Sequence, residues 1–539
     1  MTGTDVPTVV LALDGLSFRY LDRFDLPNFE RLRERGVEAP LRSTHPPWTG
    51  SAWPSMFTGV GPGHHGVYSF FDFESATPAE ASVVSRNDVR APAIWNYLDD
   101  EVVVLNMPVT HPAEPVDGVL IPGYLAPEDV AGHPEGIREE LSDALGEPYR
   151  VYADSELSDD PDEKLAGYAD LVDLRRRAAE YVLSTRDPAL AVVQVQKTDA
   201  VFHNFEDEAA FERVYAAADE LIGGVLDAVD GPANVVVCSD HGMSPTTGYV
   251  VYVNEVLRGH GFVESTTEGG VPTVGDRKRE WLGAADGEAS EDGSGVLSTA
   301  VSAAETALDA VGVTPGDVYS AAARFGVEET LLGLLPERAS VGETVDWKAS
   351  TAYCRSGSEL GVRINLQGRD PGGTVPPDEY HAVRGELVDV LSGLETPEGD
   401  PVFEMVLPRE RVYEGPQVEA APDVVFRPAD MNHGVVAGLV GRRFVPTTEH
   451  NHALDGVFVG AGPGFGDVGP DHMALPDVAP TVMALLGRSV PERMTGTVPQ
   501  GLLAGSADRA SYGDVPYGTG EDAREGERVH DRLEDLGYL

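Results

Sequence analysis

The chain has 539 residues, 42% of them apolar, which is enough for one large domain with insertions or for two to three domains. Aspartate and glutamate total 90 against 39 lysine and arginine residues, so the formal charge of −51 excludes nucleic acid as a favoured partner. The two cysteines are far apart, which excludes a zinc–thiolate cluster and predicts no structural disulfide.

The acidic residues are spread through patterned sequence instead of being gathered in a tail, so they predict a charged surface and not disorder. An acidic surface with few lysines is typical of halophilic archaea that accumulate salt. There, carboxylates keep the surface hydrated and salt screens their repulsion. We therefore expect a halophilic, archaeal protein, with an ordinary acidic protein as the alternative.

The N-terminal segment predicts a strand and not a targeting signal. No basic residue precedes its apolar stretch, which runs directly into Asp14. No apolar run in the sequence is long enough to span a bilayer. These features predict a cytoplasmic protein without a membrane partner.

Five short, β-branched apolar runs predict buried strands. Near-continuous apolar runs are typical of strands that are covered on both faces, as in a mostly parallel sheet. Helical patterns at 26–36 and 168–184 separate some of them. The pattern predicts the α/β class, an αβα sandwich with a mostly parallel central sheet. The five runs are Thr8–Gly15, Glu101–Pro108, Leu190–Asp199, Asn234–Gly242 and Gly456–Gly464.

The predicted core comprises residues 1–265 and 344–504, with a candidate cap region at 128–185. Residues 266–343 are predicted to be an insertion, because a polar, glycine-rich stretch within them is typical of a surface loop and precedes a helical pattern at 297–312. The tail, 505–539, is loop-like before a short amphipathic helix at its end.

Three of the predicted strands lead into an aspartate: Asp14, Asp199 and Asp240. In open α/β sheets, ligands bind beyond the carboxyl ends of the strands, so these three side chains can converge in one crevice. A single aspartate after a strand is more often a helix cap or a turn residue. The case for a site therefore depends on what accompanies the aspartates.

Histidines accompany two of these aspartates and one further strand. Asp199 and His203 are spaced so that a helical turn places both on one face, and His241 directly follows the third aspartate. His450 and His452 come just before the last predicted strand. Aspartates and histidines without cysteine suit a dinuclear site for zinc, manganese or a similar divalent ion. Such sites clamp the attacking and leaving oxygens of a phosphoryl transfer.

A segment poor in charge, HPPWTGSAWPSMFTG, contains a candidate site residue that is neither an aspartate nor a histidine. Thr49 lies in it between Trp48 and Gly50, where it can be a turn residue, a helix cap or a nucleophile. A hydroxyl bound to a metal ion loses its proton far more readily than a free one. Gly50 would let a substrate approach the backbone closely.

With these residues assembled, the chain resembles the alkaline phosphatase superfamily, and most closely its type I phosphodiesterase/nucleotide pyrophosphatase branch. Family members commonly show the pattern T-x8-T-G-x2-P-x2-H-G, which the segment from Thr49 to Gly66 fits. Five motifs occur in family order: ALDGLS, PPWTGSAWPSMFTGVGPGHHG, KTDAVFH, SDHGM and EHNHALDGVFVGAGPGF.

The resemblance implies two divalent metal ions, most simply Zn²⁺, with Mn²⁺ as the alternative. One ion would be held by Asp199, His203 and His452. His452 is favoured over His450 because it stands four residues before Gly456, as in the related motif, but His450 remains an alternative.

The second ion would be held by Asp14, Asp240 and His241 together with the oxygen of Thr49. The resemblance further implies that Thr49 is the nucleophile. It would attack phosphorus and form a phospho-threonine intermediate that water then hydrolyses. The metal ions would stabilise the charge that develops on the phosphoryl oxygens.

The chain departs from the family pattern at Ala52, where nucleotide pyrophosphatases carry an asparagine that contacts a phosphoryl oxygen, so nucleotide specificity stays open. The candidate substrate contacts are Gly50, Lys197 and Trp53. For Lys197 a solvated lysine at a strand end is favoured over a phosphate contact, and for Trp53 structural packing is at least as well supported as a substrate contact. No C-x-P-x-R sulfatase signature occupies the segment around Thr49.

The resemblance implies a metal-dependent phosphohydrolase of the phosphodiesterase or nucleotide pyrophosphatase type, acting on a small phosphate ester. One alternative lies within the same fold, a phosphomonoesterase or a phosphomutase. A second alternative is a catalytically silent member that binds a ligand or a partner protein. The sequence leaves the natural substrate and the oligomeric state open, a homo-oligomer included.

Overall fold

The structure is a computed structural model that describes residues 6–73, 78, 81–229, 231–266 and 343–518. Most of the predicted insertion at 266–343, including the helical pattern at 297–312, lies outside the described residues. So does the predicted helix at the end of the 505–539 tail. Among the described residues, no helix is long and apolar enough to cross a membrane. The cytoplasmic location and the archaeal origin stay predictions.

The strands take up short stretches throughout the described chain. They are β1 Thr8–Leu13, β2 Gly36–Arg42, β3 Phe71–Asp72, β4 Ser82–Val83, β5 Val102–Met107, β6 Gly118–Pro122, β7 Leu190–Val195, β8 Asn234–Cys238, β9 Gly242–Pro245, β10 Tyr249–Tyr252, β11 Ser265–Thr266, β12 Thr344–Val345, β13 Ala352–Tyr353, β14 Gly361–Ile364, β15 Phe403–Pro408, β16 Val424–Pro428, β17 Gly434–Val436, β18 Phe444–Pro446, β19 His450–Ala453, β20 Asp455–Ala461, β21 Met473–Ala474, β22 Val490–Pro491 and β23 Arg509–Ala510.

Most of the helices that the structure describes lie before residue 260. They are α1 Phe18–Leu21, α2 Pro27–Arg33, α3 Thr49–Thr58, α4 Pro62–His65, α5 Ile137–Leu145, α6 Pro161–Thr185, α7 Lys197–Asn204, α8 Glu208–Ala228, α9 Val253–Gly259, α10 Tyr380–Ser392 and α11 Val478–Leu485.

The main sheet has eight strands in the order β21-β2-β20-β8-β1-β7-β5-β6. The neighbours from β8 to β6 run parallel, and β20 is antiparallel to both β8 and β2. All five strands predicted from apolar runs belong to this sheet. Their runs are largely apolar because helices cover both faces of the sheet.

Alternate residues of β1 point into two apolar layers. Val9, Leu11 and Leu13 belong to one cluster, together with residues of α2, α5, α6, α7 and α8. Val10 and Ala12 belong to the other, with residues of α3 and α11. The prediction of an αβα sandwich with a mostly parallel central sheet is confirmed. The candidate cap region, 128–185, contributes α5 and α6 to the first of these layers.

Residues 249–266 and 343–446 form a second lobe with its own apolar cluster. Its four-stranded sheet has the order β13-β14-β16-β15, and a three-stranded sheet has the order β17-β10-β18. Of the strands after residue 344, β20 and β21 join the main sheet. The chain enters and leaves the lobe along the antiparallel pair β9–β19. The domain boundaries given above stay a prediction.

The net charge of −51 gives a testable expectation about salt. Raising KCl from about 0.1 M to about 2 M shortens the screening length from about 10 Å to less than 3 Å. Repulsion among carboxylates in the folded state should then weaken, so the midpoint of thermal unfolding should rise. Circular dichroism melts over a KCl series measure it, and a midpoint that stays constant or falls would contradict the expectation.

Candidate metal and nucleophile site

The carboxyl edge of the main sheet gathers the three aspartates that the sequence singled out. Asp14 follows β1, Asp199 lies in the first turn of α7 after β7, and Asp240 follows β8. Because β1 lies between β7 and β8 and runs parallel to both, the three side chains come together at one edge. Each of the three residues is at most 4% exposed.

One ligand cluster is formed by Asp199, His203 and His452. The Oδ1 atom of Asp199 lies 3.2 Å from His203 Nε2 and 3.5 Å from His452 Nε2, and the two nitrogens are 3.1 Å apart. A tetrahedral ion with bonds of about 2.0 to 2.1 Å keeps its ligands about 3.3 Å apart. The triangle therefore has the size of one face of a tetrahedral metal site.

A second ligand cluster lies around His241. Its Nε2 atom is 3.4 Å from Asp14 Oδ1 and 3.3 Å from Asp240 Oδ2. The Thr49 hydroxyl oxygen lies 3.5 Å from the same Asp14 Oδ1. These spacings again match those between ligands of a small divalent ion. The structure thus brings the predicted nucleophile to the second cluster.

The Asp14 carboxylate is oriented by two donors on its other oxygen. The indole N–H of Trp53 donates to Asp14 Oδ2 at 3.0 Å, and the side-chain amide of Gln194 donates to it at 3.1 Å. Both donors are buried, so the carboxylate is fixed in a site without bulk water. Its Oδ1 atom is thereby turned toward His241 and Thr49.

The other two aspartates likewise have one carboxylate oxygen that accepts from a protein donor and one that does not. Asp240 Oδ1 accepts from the Gly15 backbone N–H at 3.3 Å, and Asp199 Oδ2 accepts from the Gln196 amide at 3.4 Å. Their remaining oxygens, Asp240 Oδ2 and Asp199 Oδ1, are buried without a hydrogen-bond partner in the described part of the chain. An unpartnered buried carboxylate oxygen is costly unless a cation binds it.

Backbone carbonyls fix which nitrogen of the two buried histidines faces the clusters. His452 Nδ1 lies 2.8 Å from the Pro47 carbonyl, and His241 Nδ1 lies 3.1 Å from the Gly242 carbonyl. A carbonyl can only accept, so each Nδ1 carries the proton and each Nε2 offers a lone pair to its cluster. The donor set therefore fits metal ions of the divalent class.

The pKa shifts of the residues in the two ligand clusters also favour added positive charge. Burial, and then the neighbouring Asp240 carboxylate, raise the pKa of Asp14 well above its ordinary value. Burial also raises the pKa of Asp240 and lowers that of His452. Burial opposes the charge of Asp199 too, but the His203 imidazole holds the pKa of that carboxyl below its usual range. Three ionised carboxylates in this crevice require added positive charge.

Thr49 is the first residue of α3 and is 3% exposed. The backbone N–H groups of Ser51 and Ala52 donate to the Trp48 carbonyl. Those of Thr49 and Gly50 have no hydrogen-bond partner among the described residues, as is usual for the first turn of a helix. The open N-terminus of this ten-residue helix suits a negatively charged group beside the Thr49 hydroxyl.

Gly50 is required by packing. A Cβ atom there would lie 2.9 Å from the Ser69 carbonyl oxygen and 3.0 Å from the Phe70 ring. Close approach of a substrate was the predicted reason for this glycine, but in the structure the group that approaches it is the 69–70 loop. Trp53, another candidate substrate contact, is fully buried and packs in the core while it orients Asp14.

Lys197 is 3% exposed, so the expectation of a solvated lysine is wrong. Its ammonium donates to Glu156 at 2.9 Å and to the Gln196 side-chain oxygen at 3.1 Å. His450 takes part in neither ligand cluster: its Nε2 atom lies 2.7 Å from the Tyr20 hydroxyl, among aromatic rings. The structure therefore places His452 in a ligand cluster and His450 outside both clusters.

The roles of Trp53 and Gln194 in orienting Asp14 were not predicted from the sequence. Gln194 carries the clearest signal, because it is a polar residue inside the apolar run LAVVQV, where every residue is buried. Such a residue must find a buried partner, which here is Asp14. The indole N–H of Trp53 carries no comparable signal, since tryptophan is common in cores.

The residues that follow Thr49 in the family motif end α3 and α4 and hold α3 in place. Gly59 ends α3 in the left-handed conformation at φ +69°, and Gly66 ends α4 at φ +87°. His65 is fully buried: its Nδ1 accepts from the Val67 N–H at 3.1 Å, and its Nε2 lies 2.8 Å from the Ser55 hydroxyl. These contacts hold α3 in place and are structural.

The fold and the two ligand clusters define an alkaline phosphatase-like α/β protein. The model of the type I phosphodiesterase/nucleotide pyrophosphatase family matches residues 8–322, and the chain belongs to this family. The match covers the segments that contribute Asp14, Thr49, Asp199 and His241. The family comprises metal-dependent hydrolases of phosphoric ester bonds.

Among curated proteins, the chain is similar to an uncharacterised pyrophosphatase/phosphodiesterase of Schizosaccharomyces pombe (strain 972 / ATCC 24843). The two are 27% identical over 257 residues, which is 46% of this chain and 47% of the relative. The match thus spans about half the length of that relative.

Among solved structures, the chain is similar to phosphonoacetate hydrolase from Sinorhizobium meliloti 1021. The complex with phosphonoformate is 16% identical, with a TM-score of 0.53, over 89% of this chain and 96% of that one. The complex with phosphonoacetate is 15% identical, with a TM-score of 0.52, over the same shares. At this identity the likeness shows a common fold.

The placement of the two histidines on β19 predicts different metal binding by two variants. His452→Ala removes a buried Nε2 ligand and should lower the affinity for Zn²⁺ or Mn²⁺ at least about tenfold. His450→Ala, the matched control two residues away, should retain wild-type affinity. Equilibrium dialysis with elemental analysis measures both. Equal loss in the two variants would contradict the assignment of His452 to the cluster.

Burial lowers the pKa of His65 to about 3, which predicts a pH dependence of stability. Below the ordinary value of about 6.5, the unfolded chain binds a proton that the folded chain does not. The free energy of unfolding should therefore fall as the pH decreases, by about 1.4 kcal/mol per pH unit from this residue.

Urea unfolding of wild type and His65→Gln between pH 6.5 and 4.5 measures that contribution. The variant is less stable at neutral pH but should lose stability less steeply as the pH decreases. His381→Gln, at an exposed position of α10, is the control and should keep the wild-type slope. A slope in His65→Gln as steep as in wild type would exclude this role.

Proposed function

We propose that the protein is a metal-dependent phosphodiesterase of the nucleotide pyrophosphatase type, with Thr49 as its nucleophile. The observation that carries the proposal is the position of the Thr49 hydroxyl. It lies at the N-terminus of α3 and 3.5 Å from Asp14 Oδ1, beside a cluster of buried ligands. A threonine that only began a helix would not need this environment.

Two divalent ions would account for the two ligand clusters. Asp199, His203 and His452 would hold one of them. Asp14, Asp240 and His241 would hold the other, with the Thr49 oxygen as a further ligand. Nitrogen and carboxylate donors without sulfur suit Zn²⁺, with Mn²⁺ as the alternative. When bound, such ions lower the pKa of a coordinated hydroxyl and neutralise charge on phosphoryl oxygens.

Groups of the chain itself would carry out the attack on phosphorus and stabilise the phosphoryl oxygens. Thr49 Oγ1 would attack phosphorus, and the first alcohol or phosphate group would leave, which gives a phospho-threonine intermediate. The backbone N–H groups of Thr49 and Gly50 at the start of α3 would donate to a phosphoryl oxygen. Water would then hydrolyse the phospho-threonine and restore the hydroxyl.

The carboxylate-orienting residues would act through Asp14. Trp53 and Gln194 hold one carboxylate oxygen, so the other keeps a constant position relative to the Thr49 hydroxyl. Fixed geometry at a nucleophile lowers the entropic part of the barrier. Ala52, where related proteins carry asparagine, is fully buried and offers no side-chain donor, which supports a substrate other than a typical nucleotide.

Turnover of a paired diester and monoester tests the reaction class. The pair is bis-p-nitrophenyl phosphate and p-nitrophenyl phosphate, assayed in multimolar KCl with Zn²⁺ or Mn²⁺. We expect the diester to be cleaved faster. If only the monoester turns over, the enzyme is a phosphomonoesterase or a phosphomutase. If neither reacts although metal is bound, the proposal of a general phosphodiesterase is wrong.

Substitutions at Thr49 test the nucleophile. Thr49→Ala should lower kcat by about a thousandfold or more, because no other group of the chain replaces the attacking oxygen. Thr49→Ser keeps a hydroxyl on the same backbone and should retain measurable turnover. Mass spectrometry of acid-quenched reactions should find a phosphorylated Thr49 peptide. Undiminished activity of Thr49→Ala would exclude the covalent mechanism.

A further inference from the structure

Lys197 is a buried cation to which the proposed function gives no role. It is the first residue of α7, and its side chain is 3% exposed. A positive charge at the start of a helix lies at the positive end of the helix dipole, and burial also removes the charge from water. Both effects are unfavourable. The neighbours of the ammonium must therefore stabilise it.

The ammonium is held by Glu156, Gln196 and Tyr168. Its Nζ atom donates to Glu156 Oε1 at 2.9 Å and to the Gln196 side-chain oxygen at 3.1 Å. It also lies 4.6 Å from the centre of the Tyr168 ring. Glu156 is itself buried, and its Oε2 atom accepts from the Ala153 backbone N–H at 3.3 Å. These contacts balance the charge of Lys197 and fix the position of the ammonium.

The contact with Lys197 determines which way the Gln196 amide faces. An ammonium can only donate hydrogen bonds, so the amide turns its oxygen toward Lys197 and its NH2 group to the other side. On that side the Nε2 atom donates to Asp199 Oδ2 at 3.4 Å. A carboxylate can only accept, so each end of the amide has the partner that its chemistry requires.

These contacts end at a carboxylate of the first ligand cluster, which consists of Asp199, His203 and His452. With Oδ2 held by Gln196, Asp199 Oδ1 lies 3.2 Å from His203 Nε2 and 3.5 Å from His452 Nε2. An amide without Lys197 behind it could rotate and present its oxygen to Asp199, which would repel the carboxylate. Hydrogen bonds to a ligand from residues behind it commonly change metal affinity about 10- to 100-fold.

We propose that Lys197 is a positioning residue for the metal ion of the first ligand cluster and that it acts through the Gln196 amide. An ammonium bound directly to Asp199 would compete with the ion for the carboxylate. An ammonium balanced by Glu156 instead acts on the carboxylate through a neutral amide. This inference rests on the proposed function, because it requires an ion at that cluster. Glu156 and Tyr168 belong to the candidate cap region, which would thus take part in metal binding.

The Zn²⁺ affinity of the first ligand cluster tests the proposal. Equilibrium dialysis measures it in a His241→Ala background, in which the second cluster is weakened. Gln196→Met removes the amide, keeps the pair of Lys197 and Glu156, and should lower the affinity about tenfold. Glu156→Gln combined with Lys197→Met removes both charges, so that neither stays buried alone. This pair variant should also lower the affinity about tenfold.

Combining the two changes tests whether Lys197 acts through Gln196. In the Gln196→Met background, removal of the pair should cause no further loss, because the amide that Lys197 orients is gone. A second tenfold loss there would overturn the proposal, since the pair would then act on the ion without the amide.

The matched control is Arg86→Met combined with Glu114→Gln. This variant removes another buried ion pair, in which Arg86 Nε lies 3.0 Å from Glu114 Oε1. It should keep the affinity of the His241→Ala protein. A tenfold loss in the control would overturn the proposal, because loss of a buried pair anywhere in the core would then explain the effect.

Two further measurements complete the test. Circular dichroism shows which variants fold, and if the pair variant does not, Glu156→Met with Lys197→Met replaces it as an apolar pair. If His452→Ala leaves the Zn²⁺ affinity of the His241→Ala protein unchanged, the first ligand cluster is wrong and the proposed function fails with it. If His452→Ala lowers the affinity but Gln196→Met and the pair variant do not, the role of Lys197 alone is overturned.

Discussion

Three carboxylates lie in one buried crevice, and their mutual repulsion is the constraint on which the rest of this site depends. Each carboxylate has one oxygen held by a protein donor and the other turned toward a histidine. The donors fix the geometry, but a neutral amide or indole cannot remove the negative charge. Either protons or bound cations must therefore reduce this negative charge, and the buried histidine nitrogens are placed to act as further ligands of a cation.

The fold supplies this convergence through strand order. Adjacent parallel strands end at the same edge, so Asp14, Asp199 and Asp240 meet there, and Gly15 at φ +64° lets the chain after Asp14 lie against Asp199. The pair β9–β19 then adds His452 from a distant part of the chain, opposite Met243. α3 adds the hydroxyl, and the loop at 69–70 packs against its first turn. Each contribution comes from a different element, and the sheet edge sets their relative positions.

The sequence predicted the parts of this arrangement that local pattern determines. Apolar runs located the strands, and the spacing of Asp199 and His203 placed both on one helical turn. Contacts between distant segments could not be predicted from local pattern. They include the hydrogen bond from the Trp53 indole to Asp14, the burial of Lys197 against Glu156, and the separate sheets of the second lobe. The resemblance favoured His452 over His450, and the structure adds their places on β19, where His452 lies opposite Met243 and His450 opposite Pro245.

The chain enters and leaves the second lobe at the same place. Thr246 and Glu449 are joined by a backbone hydrogen bond of 2.8 Å, as are Thr447 and Gly248 at 3.0 Å. Everything between them is topologically a single excursion from a closed two-stranded stem. Its length and sequence can change without altering the register of the main sheet, because loop-closure entropy grows slowly with length. A change in the length of this lobe can thus be absorbed at the stem, whereas a change at its contacts with Gly63 and Ser69 reaches the segment that follows Thr49.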